Sequence, residues 1–319
     1  MVMRVFVFEY LTGCDDDGAS AELLAQGLAM RDAVVQDLLA AAGIEVGCAA
    51  APGQRAAPLP AATLRPHPGE GACEFVARQA LRHDLTWVIA PESGGVLAAL
   101  QRAVDRDRWL GCDGATIAVA SWKAATLDLL AAAGIATPRA FEHDPHVRRW
   151  VVKPDDGAGS VDTQVHDSRD AAYADRARRR AAGASATLEP WIEGDPLSLT
   201  LRCDASGVEL LSVNRQRFEI DPLGMLSFHG VTTHVLPPHD ARLPALERLA
   251  ERVQAALPGL RGIAGIDLVW HPHAGPVTIE INPRTTSAYV GLSHALGRNL
   301  AAEVVAAHLE ETARCPIVT

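Results

Sequence analysis

Gly265-Ile-Asp-Leu-Val-Trp270 and Thr278-Ile-Glu-Ile-Asn-Pro-Arg284 are the stretches that decide the fold. Each reads as a strand, and His271-Pro-His-Ala-Gly275 between them has the composition of a turn. Successive side chains on a strand point to opposite faces. Glu280 and Asn282 are therefore expected on one face, with Ile279 and Ile281 on the other. A four-residue loop over 272–275 places Asp267 directly across from Glu280. Two carboxylates and a carboxamide then converge on one spot, which is costly unless a cation sits there. Hard oxygen donors of this kind suit Mg²⁺ carrying phosphates. An ordinary solvated hairpin face explains either strand alone but accounts poorly for both. Asp267, Glu280 and Asn282 are thus candidate metal ligands, while His271 and His273 are expected as exposed turn residues.

Working outward, two lysines stand in telling contexts. Lys123 opens a helix expected over 121–133, and Lys153 ends the apolar strand Trp150-Val-Val. The loop Asp155-Asp-Gly-Ala-Gly-Ser160 follows at once. Gly157 and Gly159 allow backbone N–H groups to converge on an anion, and Ser160 adds a donor. A plain strand-to-strand turn has the same composition, so the loop gains weight only beside the lysines, which are candidate phosphate contacts. It is neither a G-K-[ST] phosphate loop nor a dinucleotide G-x-G-x-x-G. Leu188-Glu-Pro-Trp-Ile-Glu-Gly-Asp195 leads from a strand into a linker whose backbone can read a purine while a carboxylate takes a ribose. Arg215, in Asn214-Arg-Gln-Arg217, and Arg284 are candidate cations for phosphate or for a substrate carboxylate, and a surface placement competes for each.

The first part, 1–112, alternates strands (4–8, 44–48, 87–90) with helices (19–42, 73–83, 95–109), a pattern that predicts a parallel sheet flanked by helices. The Pro/Ala/Gly-rich stretch 50–71 reads as a loop or loose connection. The second part, 113–185, holds Lys123, Lys153 and the glycine loop between strands 150–154 and 162–166. It also carries an Ala/Arg-rich helix around 176–184. The third, 186–319, is strand-rich (187–192, 197–203, 208–213, 263–270, 277–282), with helices over 243–257 and 293–308.

The formal net charge is −10, which argues against broad contact with nucleic acid or anionic membrane. A few well-placed cations still suffice for a nucleotide. The six cysteines form no C-x-x-C and no zinc spacing, and a reduced cytoplasmic setting is expected. No stretch approaches the roughly 20 apolar residues of a membrane span.

Taken together, these residues resemble the ATP-grasp superfamily of carboxylate–amine ligases, in the family's own order: Lys123, Lys153 with its loop, the linker 189–193, then Asp267, Glu280 and Asn282. The resemblance implies an α/β (α+β) ATP-grasp fold with an N-terminal parallel-sheet lobe and a nucleotide site between two α+β lobes. It implies ATP phosphates held by Lys123 and Lys153, and adenine read by backbone near Trp191 and Ile192, in the linker that begins at Glu189. It also implies two Mg²⁺ ions on the acidic set, with Mn²⁺ able to substitute. The family's ribose-binding glutamate falls at Pro196 here, leaving Glu193 or Asp195 as alternatives. A narrower likeness rests on Phe8-Glu-Tyr-Leu-Thr-Gly13, Ala25-Gln-Gly-Leu-Ala-Met30, Asn214-Arg-Gln216, His229-Gly-Val-Thr-Thr233 and Asn282-Pro-Arg-Thr-Thr-Ser287 with Tyr289-Val-Gly-Leu292. These segments resemble the subgroup of tyramine–glutamate ligases of methanofuran and methylofuran biosynthesis. That likeness implies joining a glutamate γ-carboxyl to the amine of tyramine or tyrosine. The expected partners are small-molecule amino acid and amine substrates, with a homodimer left open. Another amino-acid or peptide ligase, and a nucleotide-binding protein without catalysis, are the alternatives.

Overall fold

Three sheets carry the chain in the computed structural model, which describes residues 2–14, 20–157 and 159–314. Ala19, Ala158 and Cys315, which belong to the expected helix, loop and cysteine set, lie outside the described residues.

The first sheet has the order β3-β2-β1-β4-β5 and is wholly parallel. Its strands are β1 (Met3–Glu9), β2 (Ile44–Ala49), β3 (Ala62–Leu64), β4 (Leu85–Ile89) and β5 (Trp109–Leu110). The helical turn α1 (Tyr10–Gly13) and helices α2 (Ala21–Leu39), α3 (Ala72–Ala80) and α4 (Val96–Arg102) connect them. β4 is buried along its whole length, as both faces of a helix-covered parallel sheet must be. The stretch 50–71 is mostly exposed loop, as expected, but it is anchored by the fully buried Ala50 and Ala51 and by β3, an unforeseen strand paired to β2. The buried Arg31 reaches its carbonyls at Arg55 (3.0 Å) and Ala56 (3.2 Å), and a three-residue strand is too short to show a period. The helix expected over 95–109 ends at Arg102, and Trp109–Leu110 joins the sheet instead.

An unforeseen helix, α5 (Gly114–Ala120), precedes the helix expected over 121–133, which is α6 (Lys123–Ala132), and the two are bent by 103°. Asp113 caps the first by accepting from the Thr116 amide at 2.7 Å. No single helix among the described residues is long and apolar enough to cross a membrane. The second sheet, β7-β6-β8, is antiparallel and built from β6 (Trp150–Pro154), β7 (Gln164–His166) and β8 (Ala186–Pro190), with α7 (Arg169–Ala181) against it. Because β8 pairs with β6, residues 186–190 belong to this sheet, and the crossing to the third sheet comes after Pro190 rather than at 185/186.

The third sheet, β11-β10-β9-β12-β13, is antiparallel. It comprises β9 (Asp195–Asp204), β10 (Gly207–Ile220), β11 (Leu226–Thr232), β12 (Gly262–His271) and β13 (Gly275–Asn282). Helix α8 (Leu243–Ala256) shares a core with it through Leu246, Leu249 and Val253. β10 runs seven residues beyond the strand expected over 208–213, and β11 was not foreseen. The turn of this hairpin bonds to the edge strand of the second sheet. Val165 N donates to Gly224 O at 2.7 Å, Leu226 N to Thr163 O at 2.9 Å, and Gln164 Nε2 to Leu223 O at 2.8 Å. The helix expected over 293–308 breaks at Gly297 into α9 (Leu292–Leu296) and α10 (Leu300–Arg314). Val304 and Val305 of α10 share a core with Val34 and Leu38 of α2, so the C-terminal helix packs on the first sheet.

Candidate functional site

The β12–β13 hairpin brings Asp267 opposite Glu280 as expected, although by a different route. His271 pairs with Gly275, so the loop is one residue shorter than the four over 272–275. A β-bulge between Asp267 and Leu268 restores the register by leaving Ile279 as the extra residue. The bulge also changes a face: Ile279 lines the same cleft as Glu280 instead of pointing away. His271 is half-buried and accepts from the amides of His273 and Ala274 at 3.2 and 3.0 Å, which fixes the turn, and His273 is exposed.

A cleft of about 570 Å³ opens between the second and third sheets. Lys123, Lys153, Gly157, Ser160, Glu189, Trp191, Ile192, Glu193, Asp267 and Glu280 all line it. Lys123 and Lys153 are the only two lysines in the chain, and both are buried, which is rare for lysine without a partner. Lys123 is the first residue of α6, and Asp155 ties that end down, accepting from the Ala124 amide at 2.8 Å and from Thr187 Oγ1 at 2.7 Å. Its ammonium lies 3.1 Å from Glu280 Oε1 and donates to the Gly157 carbonyl. Burial alone would lower the Lys123 pKa, but Glu280, then Glu92 and Glu189, more than offset this and hold it above the usual ammonium range. Lys153 pairs with Glu189 Oε1 at 2.5 Å, and Glu189 Oε2 is buried with no hydrogen-bond partner among the described residues.

At the floor, burial pushes the Asp267 carboxyl up to about 6, and the Glu280 charge adds to the rise. Hydrogen bonds from Asn282 and Gln216 act in the other direction. Among the described residues no three His, Cys, Asp or Glu side chains gather as a metal cage would need. Two carboxylates and a carboxamide instead fit an ion such as Mg²⁺, which keeps waters and substrate phosphates in its shell. The raised Asp267 pKa is what such a cation would reverse, and the donor set therefore fits the ion.

The linker leaves β8 at Pro190. Trp191 N donates to Arg149 O at 2.9 Å, and the Arg149 guanidinium sits 5.0 Å over the indole and 2.6 Å from Glu193 Oε1. Trp191 Nε1 is a buried donor with no hydrogen-bond partner among the described residues. At Gly194 (φ +153°) a Cβ would lie 2.3 Å from the Trp270 carbonyl, so only glycine lets the linker cross β12 there. Of the two ribose alternatives, Glu193 lines the cleft and Asp195 does not.

Asp195 and Arg215 are the candidates the structure leaves outside. Arg215 lies in the middle of β10 and forms a two-pronged bond with Asp195 (2.9 and 2.8 Å), and Arg242 adds a third contact to that carboxylate at 3.2 Å. Its neighbours Gln216, Arg217 and Phe218 line the cleft instead; Arg217 belongs to the cationic motif read from the sequence, whereas Gln216 and Phe218 were not foreseen as site residues. Gly159, Asn282 and Arg284 line an adjoining cavity of about 150 Å³ that shares Ser160, Asp267 and Glu280 with the cleft. Arg284 is mostly buried and held by Glu92 at 3.0 Å. Burial works against its charge, but Glu92, Glu280 and Asp267 raise its pKa above the ordinary guanidinium value.

The family sequence model of the ATP-grasp domain matches residues 120–288, just over half of the 319-residue chain. A second, of the pre-ATP-grasp domain, matches residues 44–117. No curated protein sequence matches the chain. Among solved structures, an ATP-grasp superfamily protein from Archaeoglobus fulgidus is similar over 95% of this chain and 88% of its own, with 21% identity and a TM-score of 0.68. D-Alanine–D-alanine ligase from Bacillus anthracis complexed with ATP is similar over 98% and 99%, with 16% identity and a TM-score of 0.66. L-Amino acid ligase from Bacillus licheniformis is similar over 97% and 74%, with 16% identity and a TM-score of 0.64.

Proposed function

The chain belongs to the ATP-grasp family, and from that premise we propose that it is an ATP-dependent carboxylate–amine ligase releasing ADP. One observation carries the reading: the chain's two lysines, both buried against carboxylates, share one cleft with the Asp267 and Glu280 carboxylates. In this account Lys123 and Lys153 contact the phosphates, the 157–160 loop closes over them, and the backbone near Trp191 and Ile192 reads the adenine. Trp191 Nε1 and Glu189 Oε2, which have no hydrogen-bond partner among the described residues, support polar recognition at that end. Mg²⁺ on Asp267, Glu280 and Asn282, when bound, supplies positive charge beside the phosphates.

A free carboxylate resists attack by an amine. Transfer of the terminal phosphoryl group of ATP to a carboxylate oxygen gives an acyl phosphate and ADP. The amine nitrogen then adds to the acyl carbon, the carbon–oxygen bond to phosphate breaks, and the amine loses a proton. Arg284 beside the acidic set offsets charge on the oxygens that change hands. For the substrates we take glutamate, through its γ-carboxyl, and tyramine or tyrosine, on the narrower sequence likeness alone. The structural similarity to proteins named as D-alanine–D-alanine and L-amino acid ligases supports a second reading, condensation of another amino-acid pair. Incubation with ATP, Mg²⁺, glutamate and each amine, followed by separation of nucleotides and product mass, tests both. ADP with a γ-glutamyl amide is expected. ADP formed only with other amino acids keeps the ligase and removes the named substrates, and AMP with pyrophosphate removes the mechanism.

A further inference from the structure

After β4 the chain turns through Ala90-Pro-Glu-Ser-Gly-Gly95, at the carboxyl end of a parallel strand where ligands of open sheets collect. Glu92 is 3% exposed, and both its oxygens accept from Arg284: Nε at 3.0 and 3.1 Å, and Nη2 at 3.1 Å. Two residues on, the Gly94 amide donates to Asp156 Oδ2 at 3.0 Å. Asp156 lies in the glycine loop, directly before the Gly157 carbonyl that Lys123 holds. Gly94 and Gly95 are both left-handed (φ +62° and +69°), and a Cβ at either meets nothing within 4 Å. Backbone shape, not crowding, calls for glycine there. A single turn of the N-terminal lobe therefore touches both halves of the site.

A buried ion pair is a poor stability device, because desolvating two charges offsets most of their attraction. What the Glu92 pair supplies is orientation: a fork of three contacts holds the guanidinium in one pose beside Asp267, Glu280 and Asn282. We propose that Glu92 is a positioning residue for Arg284, and that the Asp156–Gly94 bond anchors the start of the glycine loop on the same turn. The N-terminal lobe thereby sets the arginine and the loop together. The effect on turnover rests on the ligase reading; the geometry does not.

Glu92→Gln keeps the shape and removes the charge. It should lower kcat by about 10- to 100-fold, as loss of a supporting partner does, and leave KM for ATP unchanged. In an Arg284→Lys background the same change should cost nothing further. Asp156→Ala should do the reverse, raising KM for ATP and speeding hydrogen exchange over 93–96 with little change in kcat. Independently of turnover, the Arg284 Nε–H resonance, identified by its loss in Arg284→Lys, should exchange slowly with water in the parent and rapidly in Glu92→Gln. Parent-like kcat in Glu92→Gln, multiplying losses in the double variant, or an unchanged Arg284 signal would overturn the proposal. If Glu92→Gln does not fold, Glu92→Asp keeps the charge and shortens the reach; full kcat in that variant overturns it equally. Should no acid–amine pair be turned over at all, the ligase reading fails, and the resonance and exchange measurements still decide the positioning.

Discussion

Replacing Lys153 by Met separates what the cleft's cations do for the fold from what they do for a nucleotide. Lys153 and Glu189 are 2.5 Å apart with side chains only 6% and 4% exposed. Removing the ammonium leaves a buried carboxylate whose other oxygen already lacks a partner among the described residues. Breaking a buried pair from one side costs about 3–5 kcal/mol. In a chain of this size each kcal/mol is worth roughly 2 °C, so the melting temperature should fall by roughly 6–10 °C. Lys153→Met combined with Glu189→Gln removes both charges and should recover most of that loss. Nucleotide reads the second role. At about a hundredfold excess over Kd, ATP with Mg²⁺ stabilises a binding-competent protein by about 2.7 kcal/mol. The parent should show this shift, and the double variant should lack it despite its restored fold. Thermal scans of parent, single and double variants, with and without ATP and Mg²⁺, measure both effects. A single variant as stable as the parent, or a double variant with the full nucleotide shift, would rule out these two roles for Lys153.

Glu280→Gln keeps the side-chain shape and loses a charge, so it should fold normally by circular dichroism and lose turnover by roughly a hundredfold or more. Near-parent rates at modest Mg²⁺ would count against the metal assignment. The loop 157–160 should exchange hydrogen rapidly without nucleotide and slowly with an ATP analogue and Mg²⁺; identical exchange in both would remove its phosphate role. Asp267 sits at about 6 in the folded chain, above its unfolded value, so the fold binds the extra proton. Its contribution to stability is full below about pH 4 and is lost as pH rises toward 6. Mg²⁺ should therefore raise the melting temperature more near neutral pH than near pH 5, and Asp267→Asn should stabilise the metal-free protein at neutral pH while abolishing turnover. Equal Mg²⁺ shifts at both pH values would contradict this.

Strands β12 and β13 were legible because each carries its polar residues inside a dense apolar run, so composition and alternation both point to a half-buried face. The register reached the right pair, Asp267 and Glu280, although the loop is shorter and a bulge compensates, and alternation has no means of announcing a bulge. Lys153 was readable as a strand-end residue before a glycine loop, and the presence of only two lysines was a stronger sign than the one used. Arg215 misled because β10 continues through it; a cation expected just past a strand end lies mid-strand and is bound by Asp195, a partner distant in sequence. β11 was missed because its apolar residues alternate with His229 and Gly230 and find their burial only against β10. Glu92 and Gln216 make their contacts across sheets, which local pattern does not encode, although an acid three residues past a fully buried parallel strand was a usable signal at Glu92.

In the proposed reaction a carboxylate is activated by transfer of the terminal phosphoryl group of ATP. This step is tested most directly with a substrate acid labelled with oxygen-18 in its carboxylate: glutamate, or whichever acid of a panel supports ADP release with an amine. Mass analysis of the released phosphate should find one labelled oxygen for each amide formed, because the carboxylate oxygen leaves with the phosphate. Label recovered in AMP, or amide formed with unlabelled phosphate, would contradict the account.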